Sequence, residues 1–390
     1  MKEEKKKQIS KKPRRSAAAK AGRKTKKNID KSKPVVHVLP RPVVRAIKYT
    51  LIIFFASFLI FSCILINYSM SPINDKNTTV TVDIPTGSSF LKVARILEEG
   101  GLIKNRFLFN LLAIFKGATR LIRAGEYEFN TSLTPSIVIR KLMRGEIKNY
   151  LVTIPEDFNV NEIAHRLDYF RLIDKEAFFE LARDKTYLSA MGIKADSIEG
   201  YLFPDTYLFN RSMSTRQITS IMVSQFWKKV TPEMVKKTAE MGFTVHELVT
   251  FASLVGKESG YRDEKDLIAA AFHNRLKRNM RLQSDPTAVY DLEDFDGRIL
   301  RKHLRRDSSY NTYVIRGLPP GPIANPGLAS IKAVLNPAPV DYLYFVSKND
   351  GTHAFSSTLR EHNEAVREYR RLQREAANQQ GNQQDNQQDD

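Results

Sequence analysis

The spacing of apolar side chains changes along the chain, and each change marks an element. From Tyr49 to Asn74 run 26 residues without a charge, YTLIIFFASFLIFSCILINYSMSPIN. About 20 apolar residues suffice to cross a bilayer as a helix, so 49–70 reads as a transmembrane anchor. Beyond it Thr79–Pro85 alternates apolar and polar residues as a half-buried strand does. Ser88–Glu99 takes up helical spacing, with Ser88 or Ser89 placed to cap it and Gly100-Gly101 to end it. A helix over Asn105–Phe115, a strand over Gly125–Phe129 and a helix over Thr134–Met143, behind a Thr-Pro start, complete a small α+β unit at 79–146.

A second, larger region occupies 150–373. Tyr150–Ile154 reads as a strand, Val160–Tyr169 and Lys175–Asp184 as helices, and Ile198–Tyr207 as an aromatic turn. Helices follow over Thr215–Val230, Pro232–Met241 with Thr231 as cap, Val245–Ser259 and Glu264–Arg278. Then come a Gly/Pro-rich loop at Gly317–Gly327, a strand at Tyr342–Val346 and a helix at Glu361–Gln373. The expected fold class is α+β: one N-terminal transmembrane helix, a small α+β subdomain and a larger mixed α/β domain. Residues 376–390 are almost wholly Asn, Gln and Asp, with nothing to bury, and are expected to be disordered.

Charge changes the picture only at the N-terminus. The formal net charge is +19, but residues 1–50 hold 18 Lys+Arg against three acids, leaving the rest near +4. A nucleic-acid-binding core is therefore not indicated. The basic arm, 1–48, reads as a disordered cytoplasmic topology signal in contact with anionic lipid, which puts everything after the anchor outside the cytoplasm. Some 48 residues precede the apolar run and no small-x-small site clearly follows it, so it reads as an uncleaved anchor rather than a signal peptide. The single cysteine, Cys63, excludes a disulfide framework and multi-thiolate metal sites. The seven histidines show no metal-ligand spacing, and no nucleophile elbow, Walker loop or dinucleotide fingerprint is present. No metal and no cofactor are expected.

Three clusters carry candidate chemistry. In Val245–Ser259, Leu248, Phe251, Leu254, Val255 and Glu258 share one helix face. A carboxyl extending an apolar stripe loses solvation and its pKa rises, so that it can stay protonated near neutrality and give a proton to a leaving group. The plainer alternative is a helix-end Glu paired with Lys257 or Arg262. Next come Asn274, Arg275 and the run Gln283-Ser284-Asp285, where Asp285 is either a second carboxylate for glycoside hydrolysis or the cap of a local turn. The third joins Tyr310-Asn311-Thr312-Tyr313 to the loop holding Pro320 and Asn325, either a wall for sugars or a connector.

The strings EGYLFPDTY (199–207), FASLVGKES (251–259), AAFHNRL (270–276), MRLQSDPT (280–287), SYNTY (309–313), GLPPGPIANPG (317–327) and HAFSSTLREHN (353–363) resemble, in order and spacing, those of the YceG-like endolytic murein transglycosylases. The resemblance covers roughly 79–370 and implies a LysM-like subdomain at 79–146 and a YceG-like catalytic domain at 150–373. It implies cleavage of the β-1,4 bond between N-acetylmuramic acid and N-acetylglucosamine in nascent peptidoglycan without water, leaving 1,6-anhydromuramoyl ends. Glu258 would be the one catalytic group. Asn274, Arg275, Gln283, Ser284, Asp285, Tyr310, Asn311, Thr312, Tyr313, Pro320 and Asn325 would contact substrate. Gly256 departs from the common pattern, which has an acid there, and leaves Glu258 the only acid in its string. Implied partners are peptidoglycan strands, penicillin-binding proteins and other cell-wall synthases, on the outer side of a bacterial cytoplasmic membrane. The competing readings are a hydrolytic muramidase using Asp285 and a non-catalytic peptidoglycan-binding anchor.

Overall fold

The computed structural model describes residues 40–259, 264–348 and 350–388; most of the basic arm, 1–39, and the last two residues lie outside them. The chain divides into two units between Ile64 and Leu65. The first holds most of helix α1, Arg41–Met70, whose 30 residues rise about 45 Å, enough for a hydrocarbon core of ~30 Å. None of its residues is buried. The helix begins at Arg41 rather than 49 because Pro42 fits a first helical turn and no breaker follows it.

The second unit contains two apolar clusters. In the first, β1 (Thr79–Ile84) pairs antiparallel with β2 (Gly125–Asn130), Thr79 opposite Asn130 and Ile84 opposite Gly125. Period-two alternation turns Val82, Ile84, Tyr127 and Phe129 inward. They meet Val93, Ala94 and Leu97 of α2 (Phe90–Glu99), Phe109 and Leu112 of α3 (Arg106–Phe115) and Val138, Ile139 and Leu142 of α4 (Pro135–Arg144). Ser89, the second of the two expected caps, accepts the Lys92 N–H. Buried Glu126 joins this layer to the next, accepting the Tyr150 hydroxyl at 2.5 Å and an Arg211 N–H at 3.0 Å.

The second cluster begins with β3 (Tyr150–Thr153), followed by α5 (Val160–Tyr169), α6 (Lys175–Leu181) and α7 (Lys185–Ala190). The expected helix to Asp184 ends early because Asp184 caps α7 instead, accepting the Thr186 and Tyr187 N–H groups. The aromatic turn ends in a strand, β4 (Thr206–Phe209), antiparallel to β3 with Tyr150 opposite Phe209. Four residues are too few for alternation to stand out beside a turn. Then follow α8 (Thr215–Lys229), α9 (Pro232–Glu240), α10 (Val245–Glu258), α11 (Lys265–Lys277), α12 (Arg301–Leu304) and α13 (Leu328–Leu335). Helix α13 packs on α10 and α11. A hairpin of β5 (Tyr344–Ser347) and β6 (His353–Ser356) leads into α14, Leu359–Gln388. Its backbone stays helical beyond Gln373, through residues expected to be disordered; that stretch holds no proline to stop it.

Candidate active site

Helix α10 is the central post. Thr244 and Glu247 form a capping box at its start, a device worth about 1 kcal/mol. Every residue from Leu248 to Gly256 is buried, so the helix is enclosed on all sides rather than along one stripe. Glu258, its last residue, is half-buried where the helix leaves the core. Lys257 turns away to Glu162, 3.7 Å distant, and does not neutralise Glu258; Arg262 lies outside the described residues.

Ser284 faces Glu258, its hydroxyl donating to Oε1 at 2.5 Å. Fully buried Ser284 follows Gln283, which adopts a left-handed φ of 52°. Such strain in a non-glycine residue persists only where neighbours over-determine it, and Thr312 does so. The Thr312 carbonyl accepts the Gln283 N–H at 3.2 Å and its hydroxyl oxygen accepts the Ser284 N–H at 2.9 Å. Thr287 completes the clasp, donating its hydroxyl to the Ser284 carbonyl at 2.6 Å.

Arg275, also buried, fixes the same loop. Its Nε donates to the Leu343 carbonyl and its Nη1 to the Leu282 carbonyl, both at 2.6 Å, and its guanidinium lies over Tyr344. Asp285 is exposed and accepts the Tyr313 hydroxyl at 2.5 Å, so it does not cap a local turn.

Burial pushes the Glu258 carboxyl up to about 7; the Ser284 hydroxyl pulls it down, the Asp285 charge raises it, and Arg275 with the Asp285 N–H lowers it. Desolvation wins over three favourable partners. At an ordinary value of 4.5 roughly one such group in three hundred would hold a proton at pH 7, against about half here.

Thus Glu258, Arg275, Gln283, Ser284, Asp285, Thr312 and Tyr313 come together. The other expected contacts do not. Asn274 spends its amide on the Val340 and Tyr342 carbonyls. Asn311, fully buried, bonds the carbonyls of His303, Leu304 and Arg306. Asn325, also fully buried, bonds Phe158, Leu202 and Glu199. These three amides have their donors already spent, on carbonyls and, for Asn325, also on the Glu199 carboxylate, and have few to offer a ligand. Tyr310 packs against Tyr290, and the Pro320 carbonyl faces His246 Nε2 at 2.9 Å.

Two further carboxyls, one buried and one half-buried, were not singled out from the sequence. Glu199, 4% exposed, accepts from the Val160 N–H, the Asn325 amide and the Tyr290 hydroxyl, and burial pushes it up to about 7. Asp157 is pushed up to about 6 by burial and lies 3.8 Å from Lys265 Nζ. Its carboxyl fills the space beside Gly256: a Cβ there would lie 1.8 Å from Asp157 Oδ1. No apolar pattern could announce either group, because each is buried by distant elements. Among the described residues no group of three or more His, Cys, Asp or Glu side chains is placed to hold a metal ion.

The YceG-like family profile matches residues 82–368. An endolytic murein transglycosylase of Bacillus subtilis (strain 168) is 36% identical over 315 residues, which are 76% of this chain and 86% of that protein. One of Streptococcus pneumoniae (serotype 2, strain D39) is 30% identical over 334 residues, covering 77% of this chain and 60% of that longer protein. The crystal structure of a YceG-like protein from Listeria monocytogenes, 32% identical, superposes with a TM-score of 0.51 and covers 74% of this chain and 99% of that one. Because the match runs from the first strand to the last helix, through every segment that builds the Glu258 site, this chain belongs to the YceG-like family.

Proposed function

We propose that this protein is a membrane-anchored endolytic transglycosylase of peptidoglycan, with Glu258 as the single acid and base. The observation that carries the proposal is a carboxyl raised to about 7 yet held by the Ser284 hydroxyl. Protonated Glu258 gives its hydrogen to the oxygen bridging N-acetylmuramic acid and N-acetylglucosamine as the C1–oxygen bond breaks. The muramoyl 2-acetamido carbonyl supports C1. Ionised Glu258 then takes the proton from the C6 hydroxyl as that oxygen bonds C1, closing a 1,6-anhydro ring with no water consumed. Each proton transfer contributes about 10²–10⁴-fold.

Ser284 aims the carboxyl, while Gln283, Asp285 and Tyr313 are the exposed or half-buried groups left to meet the sugar. Thr312 and Arg275 act through the loop they clasp. Helix α1 would cross the cytoplasmic membrane once, the basic arm inside and the enzyme outside. Residues 79–146 would be a LysM-like glycan contact, and glycan synthases, penicillin-binding proteins among them, would be neighbours on the same strand.

The Asp285 charge is close enough to raise Glu258, which keeps a two-carboxylate hydrolase in view. Mass analysis of products from purified uncrosslinked glycan decides. Anhydro ends from the unsubstituted enzyme, lost at least about 100-fold in Glu258→Gln, support the proposal. Reducing ends heavier by one water support the hydrolase, and retention on insoluble glycan without product supports a non-catalytic anchor.

A further inference from the structure

Helix α10 has a second functional-looking end. Around its first turn lies a cavity of about 970 Å³, walled by Tyr201, Trp227, Phe243 and His246, with Lys194 and Arg316 among its lining residues. From His246 to Glu258 the helix rises about 18 Å, so the cavity is not the proton-transfer site. It is nonetheless joined to that site by one stretch of loop. Tyr313, bonded to Asp285, is followed by Arg316, whose Nη1 donates to the Asn279 carbonyl at 2.6 Å, and then by the cavity-lining Gly317–Pro320 segment.

The polar groups of the wall are already spent. His246 Nδ1 meets the Tyr201 hydroxyl and its Nε2 the Pro320 carbonyl. Trp227 Nε1 donates to the Met191 carbonyl, Thr250 to the His246 carbonyl, and Glu247 accepts from Thr244. A bare sugar, which needs many hydrogen-bonding partners, would find few. Lys194 and Arg316 are exposed, and among the described residues neither forms an ion pair. Gly192, at φ +75°, lies against the indole so that a Cβ there would come within 3.8 Å of three of its ring atoms. The site therefore offers an apolar wall with two cations, Lys194 and Arg316, against one carboxylate, Glu247, whose Oε2 is held in the α10 capping box.

We propose that this cavity holds the acidic peptide stem of a muramoyl residue on the same strand, some sugars away from the bond that is cut. The stem's carboxylates would meet Lys194 and Arg316, and its methyl and methylene groups the aromatic wall. The inference rests on the reading of the chain as a peptidoglycan enzyme. Binding energy taken from a remote part of the substrate can then be spent on the reacting bond.

Trp227 is the only tryptophan in the chain, so its emission reports on the cavity. The experiment titrates full-length Glu258→Gln protein in detergent micelles with a soluble disaccharide-tetrapeptide and, separately, with N-acetylchitotetraose. The expected result is a saturable change with the first and none with the second. Lys194→Gln or Arg316→Gln should each weaken the response about tenfold, with melting temperature monitored alongside. Lys194 bonds nothing among the described residues, so its substitution cannot act by loosening the loop. Equal responses to both probes, no response, or full affinity in Lys194→Gln would overturn the proposal. If the unsubstituted enzyme makes anhydro ends while Trp227 stays silent, the cavity assignment alone fails; if neither product nor response is seen, both readings fail.

Discussion

Ser284→Ala isolates the group that steadies the candidate acid. The Ser284 hydroxyl donates to Glu258 Oε1 at 2.5 Å, and Ser284 is itself fully buried. A hydrogen bond to a charged group is worth about 1.5–3 kcal/mol, and one pKa unit corresponds to about 1.4 kcal/mol. Removing the donor therefore raises the Glu258 carboxyl by about one to two units above its value of about 7. In the proposed mechanism protonated Glu258 starts the reaction, so activity should fall as pH rises through that value. In Ser284→Ala the alkaline fall in kcat/KM should move up by at least about one unit, while the rate at its optimum drops because the carboxyl is no longer aimed. The backbone should hold, since the Ser284 N–H and carbonyl are bonded to Thr312 and Thr287 independently of the hydroxyl. The assay is release of anhydro-ended fragments from pH 5 to 10. An alkaline limb that stays in place, or moves down, would mean that the Ser284 hydroxyl does not hold the ionised carboxyl.

Other outcomes follow from the same geometry. Gly256→Ala should destabilise the fold by about 1–3 kcal/mol in denaturant unfolding, although alanine is the better helix former, because its Cβ would collide with the Asp157 carboxyl. Glu199 titrates near 7 when folded and near 4.5 when unfolded. Its contribution is thus fully present below about 4.5 and lost as pH rises through about 7, to the extent of about 3 kcal/mol. Glu199→Gln should remove that share of the stability difference between pH 5 and pH 8. Arg275→Lys keeps the charge but cannot bridge the Leu343 and Leu282 carbonyls together. It should cost at least about tenfold in kcat while the melting temperature shifts by a few degrees.

Where the sequence was legible, local physics decides. Caps such as Ser89 and Thr231, the Thr134-Pro135 start and the alternation of Thr79–Ile84 act within a few residues, and their elements lie where they point. Strand β4 was hidden because it is four residues long and defined by its partner, β3. Helix α13 was hidden behind a Gly/Pro-rich loop, and β6 because only its pairing with β5 identifies it. Glu258 was legible as a carboxyl ending an apolar helix, but the helix proves buried all round, and burial raises the carboxyl against the pull of the Ser284 hydroxyl. At Asn274, Asn311 and Asn325 a polar residue in a characteristic string suggests a ligand, yet each amide bonds backbone carbonyls, from distant segments for Asn274 and Asn325 and from the residues just before it for Asn311. Side-chain type cannot tell a clasp from a contact until the partner element is in place.

A carboxyl kept half protonated at neutral pH reveals itself in its own titration. Infrared difference spectra of the full-length protein against Glu258→Gln, recorded from pH 4 to 9, isolate the Glu258 carboxyl band. A protonated C=O signal should fade with a midpoint at about 7. A midpoint near the ordinary 4.5 would contradict it, because the group would then reach neutral pH already stripped of the proton it has to give.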